Sequence, residues 1–364
     1  MNRHLIHGMT LITMFGGQCS AALSAEHERI EVSEDGRQTA NPDADTSGSN
    51  AARGSNVNIF PDESDWSSDL RRQVGAVQVV DMNDDGWPDV VAAVYHSPSF
   101  PPYDDWHNLI YYNNGGELED EPSWVSTDEV STGSCVVADF NGDGHPDIFA
   151  CNGGFAMSDS VIYYGSADGP SESPGWFSNE PTFNGAWNNF ALPIDLDNDG
   201  DTDLVTANQG NSQDDPDRPM FVFYNDNGSL ETTPSWSSTP SIQGYLDAGD
   251  LDGDGTDDVA VTKWAAFETA VYENDGGTLQ TPPAWEIGDD DTDKGVAWAD
   301  VDGDGDDDLA VGKDPTRLYE NDNGNLSLIW EAQGSFFGHN ELKFADVDDD
   351  GDPDLVEIHF SSGV

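Results

Sequence analysis

Six stretches of the chain, starting at Asp81, Asp139, Asp195, Asp250, Asp300 and Asp346, read Asp-x-(Asp/Asn)-x-Asp-Gly-x-x-Asp followed by Val, Ile or Leu. Side-chain oxygens at positions 1, 3, 5 and 9, a backbone carbonyl at 7 and a turn-permitting Gly at 6 suit a hard cation with flexible coordination, which is Ca2+. The expected ligands are Asp81, Asn83, Asp85 and Asp89 in the first loop and Asp139, Asn141, Asp143 and Asp147 in the second. The third and fourth offer Asp195, Asp197, Asp199 and Asp203, then Asp250, Asp252, Asp254 and Asp258. Asp300, Asp302, Asp304 and Asp308 follow in the fifth, and Asp346, Asp348, Asp350 and Asp354 in the sixth. About six Ca2+ ions are therefore expected, one per loop.

Loop starts are 58, 56, 55, 50 and 46 residues apart, so each loop marks one unit of a longer repeat. A tryptophan precedes each loop: Trp66, Trp124, Trp176, Trp236, Trp285 and Trp330. A β-rich run lies between loop and next tryptophan, as in Ile110-Tyr111-Tyr112-Asn113 and Val222-Phe223-Tyr224-Asn225. Each unit then holds four short strands, in the first Ala76 to Val80, Asp89 to Val94, Asn108 to Tyr112 and Ser123 to Ser126. Four strands per unit of this size predict a propeller blade, with the tryptophans packing between blades. The fold class is all-β, a β-propeller of six four-stranded blades, with seven as the rival count.

Residues 1–25 carry Arg3, an apolar run from Met9 to Phe15 and small residues at Ala21 to Ala25, the pattern of a secretory signal. Residues 26–55 are polar and charged with almost no aliphatic content and read as a disordered linker. The propeller is expected over 56–364. The last unit stops after Leu355 to Phe360 without its outer strands, and Asn56 to Trp66 resembles the missing pair, so it would complete the sixth blade and close the ring.

With 72 acidic and 12 basic residues the net charge is −60, which excludes nucleic acid as a general partner. Six divalent ions would bring it only to −48. No segment is apolar for long enough to span a membrane. The export signal places the protein outside the cell or on its surface, as a monomer. Cys135 and Cys151 flank the second loop; if Asp139 and Asp147 face each other the two cysteines are opposed and could form a disulfide, and two thiols is the other reading.

The segments Val74 to Gly86 and Asp300 to Gly312 resemble the FG-GAP and VCBS calcium-loop repeats of the integrin α-chain propeller and of many secreted bacterial proteins. The resemblance covers about residues 66 to 364 and implies a calcium-bearing propeller. It does not imply one function, since such propellers serve adhesion, sugar binding and catalysis. This chain lacks the Gly-Ala-Pro ending after most loops.

In such a blade the calcium loops and Asn/Gly hairpins share one side, and segments that differ in every blade share the other. Variable loops on a regular scaffold are where recognition is expected. The candidates there are Arg71, Arg72, His96, Tyr103, Trp106, His107, Trp187, Arg218, Lys263, Trp264, Lys313, Arg317 and His339. Their basic groups would either pair with loop carboxylates or form a cationic ring for acidic glycans; their aromatics could stack on sugars. The leading expectation is a non-catalytic module for a glycan or an extracellular protein. The alternative is a polysaccharide lyase or hydrolase using His96, His107, His339 and His359 across the closed seam, although no nucleophile elbow, paired-His metal motif or phosphate loop is present.

Overall fold

A computed structural model describes residues 74–95, 106–153, 159–179, 189–208, 219–238, 244–263, 268–288, 295–313, 315–332, 339–347 and 351–359, with two strands at 12–15 and 21–23. Among these residues there is no helix. The N-terminal strands are β1 (Ile12–Phe15) and β2 (Ala21–Leu23). The first sheet is β3 (Val74–Val80), β4 (Asp89–Val94), β5 (Leu109–Tyr111) and β6 (Trp124–Val125). The second is β7 (Thr132–Ala138), β8 (Asp147–Asn152), β9 (Val161–Tyr163) and β10 (Trp176–Phe177). The third is β11 (Asn189–Ile194), β12 (Asp203–Asn208), β13 (Phe221–Phe223) and β14 (Trp236–Ser237). The fourth is β15 (Leu246–Gly249), β16 (Asp258–Lys263), β17 (Glu268–Tyr272) and β18 (Trp285–Gly288). The fifth is β19 (Val296–Ala299), β20 (Asp308–Val311), β21 (Arg317–Asn321) and β22 (Leu326–Glu331). The last pair is β23 (His339–Ala345) and β24 (Asp354–His359).

Five sheets are antiparallel meanders in chain order, as short connections require. Each expected strand of the first unit is present. In the sixth sheet β23 pairs with β24, and β1 lies parallel to β24 with β2 outside it. Thus the segment read as a signal holds the outer places of that sheet. Asn56 to Trp66, expected there, lies outside the described residues, as does the whole of the linker.

The second strand of each of the second to fifth sheets is buried along its length because a sheet covers each face. β8, β12 and β16 are buried at every residue, which explains their continuous apolar runs. Five clusters result, one per junction of consecutive sheets. Met82, Ile110, Cys135 and Tyr163 join the first two sheets; Phe140, Phe149, Trp176 and Phe223 join the second and third. The tryptophans act at these junctions. Trp124 meets Tyr163 edge-on at 5.4 Å, Trp176 meets Phe223 at 5.9 Å, Trp236 meets Tyr272 at 5.8 Å and Trp285 meets Tyr319 at 5.3 Å between ring centroids. Each ring partner belongs to the next sheet. The indole N–H groups of Trp124 and Trp176 also donate forward, to the carbonyls of Pro170 and Leu230. Gly249 shows how tightly the junctions fit, since a Cβ there would lie 2.7 Å from the Trp298 ring.

The cysteine register is one residue away from the symmetric one. Ala138, not Asp139, stands opposite Asp147, so Cys135 pairs with Ala150 and Cys151 with Ser134. Such a slip puts the two side chains on opposite faces. Cys135 lies in the cluster with Met82 and Cys151 in the cluster with Phe140. No disulfide joins them, and burial pushes the Cys135 thiol up to about 12. A reducing agent should leave the melting temperature unchanged; a drop of several degrees would show that the register is wrong.

Candidate metal loops and variable face

The loops are held open for an ion by their own backbone. The position-1 carboxylate accepts the N–H groups of positions 5 and 6: Asp81 from Asp85 and Gly86, Asp195 from Asp199 and Gly200, Asp250 from Asp254 and Gly255. Position 3 accepts from position 5, as Asn83 does from Asp85, and position 5 from position 7, as Asp85 does from Trp87. Position 6 has a left-handed φ in all six loops, from Gly86 at 89° to Gly351 at 94°. Position 4 is left-handed too, at Asp84, Gly142, Asn198, Gly253 and Gly303. The sequence carries a signal of that requirement, since the fourth residue of each loop is Asp, Asn or Gly, the types that tolerate this conformation.

Oxygen atoms of Asp195, Asp197 and Asp199 lie within 4.8 Å of one another, as do those of Asp250, Asp252 and Asp254, and of Asp300, Asp302 and Asp304. Three carboxylates at that distance repel unless a cation sits between them. The first two loops place Asn83 and Asn141 at the middle position, and Asp348 and Asp350 lie outside the described residues. An all-oxygen donor set on a flexible loop fits Ca2+ and not a soft or imidazole-seeking metal.

Position 9 has a second task. Asp258 accepts Leu251 N–H through Oδ2 at 2.8 Å and Asn274 N–H through Oδ1 at 2.6 Å. The same pair of bonds is made by Asp89, Asp147, Asp203 and Asp308, and Asp354 makes the first of them to Val347. Each of these carboxylates is buried, and all but Asp354 staple their loop to the end of the third strand of the sheet. Burial raises the pKa of Asp89, and against the pull of the amides it raises Asp147 and Asp203 to about 6 and Asp258 and Asp308 to about 7.

Each loop also touches the next sheet. The Asn274 amide donates to the Leu196 carbonyl of the preceding loop at 2.7 Å and to Asp257 of its own, and its Oδ1 accepts Gly277 N–H. Asn225 and Asn321 repeat this on Phe140 and Leu251, both at 2.9 Å. The hairpin glycine then presses on that loop: a Cβ on Gly277 would lie 2.5 Å from Asp197 Cβ. Acidic loop and Asn/Gly hairpin therefore share one side. Asn274→Ala should cost about 2 kcal/mol in a denaturant titration, because three buried bonds lose one partner; a cost under 0.5 kcal/mol would remove the tie.

The variable face is described in part. Arg71, Arg72, His96, Tyr103, Trp187, Arg218 and Trp264 lie outside the described residues. Trp106 and His107 are half-buried ahead of β5, with His107 Nε2 3.8 Å from Glu129. Lys263 is buried and donates to Glu286 at 2.5 Å, with Glu268 at 3.6 Å. Arg317 Nε stands 2.7 Å from Glu331, and Lys313 is fully buried. Lys343 sits within the inner strand β23 and reaches Asp247 at 3.8 Å. His339 and His359 are register partners on β23 and β24. His107 is the remaining described member of the four-histidine seam, and no approach to that pair is described.

Stacked four-stranded sheets with one acidic loop each define a propeller-like repeat protein. The FG-GAP-like repeat family matches residues 46–150 and 195–261, and those two regions are repeats of that type. No curated protein matches it. Among solved structures it is similar to BBS1N in complex with ARL6DN, soaked with mercury, at TM-score 0.53 and 12% identity over 80% of this chain and 78% of that one. The same complex soaked with lead gives 0.51 and 12% over 80% and 77%. The V. cholerae biofilm matrix protein Bap1 gives 0.35 and 16% over 62% and 42%.

Proposed function

We propose that the protein is a secreted or cell-surface binding module, a six-bladed propeller stabilised by about six Ca2+ ions, that takes a glycan or protein ligand on the face opposite the calcium loops. The observation that carries this is the division of labour between the two sides. Loops and hairpins on the calcium side repeat the same bonds from sheet to sheet, so that side is committed to holding the scaffold. The other side carries segments that differ in length and composition in every unit. Two of the described cations there, Lys263 and Arg317, are neutralised in place by Glu286, Glu268 and Glu331, which favours a protein or an uncharged glycan over an acidic one. The fold neighbour crystallised with ARL6DN is an instance of this kind of scaffold engaging a partner.

Immobilised neutral and acidic polysaccharides and an extracellular protein fraction, each in millimolar Ca2+, provide the test. Retention without new reducing or unsaturated ends is the expected result. Product formation would establish the lyase or hydrolase alternative, and no retention on any surface would overturn the binding reading.

A further inference from the structure

Four of the five junctions between consecutive sheets follow one rule. The residue after the loop start on one sheet packs against the residues four and two before the loop start on the next. Met82 lies with Cys135 and Val137, Leu196 with Leu246 and Ala248, Leu251 with Val296 and Trp298, and Val301 with Leu342 and Phe344. The forward residues of these pairs are at most 5% exposed.

The two ends of the stack break the rule in complementary ways. On the first sheet the equivalent positions are Val77 and Val79, which are 52% and 66% exposed; on the last sheet the forward residue is Val347, 39% exposed. With Val74 these account for four of the seven large apolar side chains exposed among the described residues, a concentration that marks an interface. On the same face of the first sheet Ala92, Leu109 and Tyr111 are buried, so the exposed strip is confined to β3. The hydrogen bonds point the same way. Asn225, Asn274 and Asn321 each donate to the second-position carbonyl of the preceding loop. Asn113 holds the equivalent place on the first sheet and donates to Pro88 of its own loop. Its preceding carbonyl, by the repeat, is that of Val347.

We infer that the sixth sheet seats on the first sheet of the same chain, with Val347 against Val77 and Val79 and the Asn113 amide on the Val347 carbonyl. This rests on the six-bladed reading above and names its seam. A second copy could offer the same surfaces, but that contact is heterologous and generates open polymers, whereas both faces on one chain meet at an effective concentration near millimolar.

Val79→Asp and the double variant Val77→Cys/Val347→Cys test this in the full chain with Ca2+ present. An aspartate on an open surface is close to neutral. In a closed seam it should lower the melting temperature by at least five degrees, as Val137→Asp should at a covered junction. Mild oxidation of the double variant should give a cross-linked monomer, read on a non-reducing gel. An unchanged melt for Val79→Asp overturns the seam. Cross-links found only between chains also overturn it, in favour of self-association. The calcium reading stands or falls separately, on whether the melt responds to a chelator.

Discussion

Excess chelator should lower the melting temperature of this protein by well over ten degrees. Extracellular Ca2+ loops have dissociation constants of roughly 10⁻⁴ to 10⁻³ M. At ten times that concentration each occupied loop contributes about 1.4 kcal/mol and six together about 8 kcal/mol, comparable with the whole stability of many domains. The effect is large because converging carboxylates such as Asp300, Asp302 and Asp304 become mutually repulsive once the ion leaves. Scanning calorimetry in 5 mM Ca2+ and in excess chelator reads it directly, and superimposable melts would sink the calcium assignment.

Replacing a position-9 carboxylate should cost nearly as much as chelation takes from several loops, and the cost should persist without metal. Asp258→Ala leaves the buried N–H groups of Leu251 and Asn274 without their acceptor, a loss of about 3 kcal/mol or more. Asp254→Asn is the contrast. Its carboxylate converges with Asp250 and Asp252, and an asparagine oxygen there can still accept the Thr256 N–H. The Asp254 variant should therefore melt like the wild type in chelator and below it in Ca2+, while the Asp258 variant melts below it in both. If chelator erases the Asp258 difference, position 9 acts only as a ligand and the staple has no energetic weight.

Most of the scaffold was legible because its signals are local and repeated. Loop glycines, alternating oxygen donors and the tryptophan spacing each recur six times, so the strands and their junction rings followed from counting. What escaped depends on contacts between distant residues or on a register of one. An aspartate at position 9 looks the same whether it holds an ion or two amides; only the approach of Asn274 N–H distinguishes them. The cysteine pairing failed because the turn closes on Ala138 and Asp147, and a single step changes the face of every side chain. For Lys263 the sequence left open pairing with loop acids or a place in a cationic ring; the structure pairs it with Glu268 and with Glu286, the latter 23 residues away on another strand and so out of reach of a local reading.

The contact of each hairpin on the preceding metal loop, with Gly277 against Asp197 and Asn274 on Leu196, changes what counts as the heritable part of this molecule. A sheet copied alone would carry a loop without its brace and a brace without its loop. The segment that can be duplicated or lost cleanly runs from one loop to the hairpin of the following sheet, out of phase with the visible blade. Sequence drift should accordingly be correlated across blade boundaries, with a change at the second loop position answered by the hairpin asparagine of its successor.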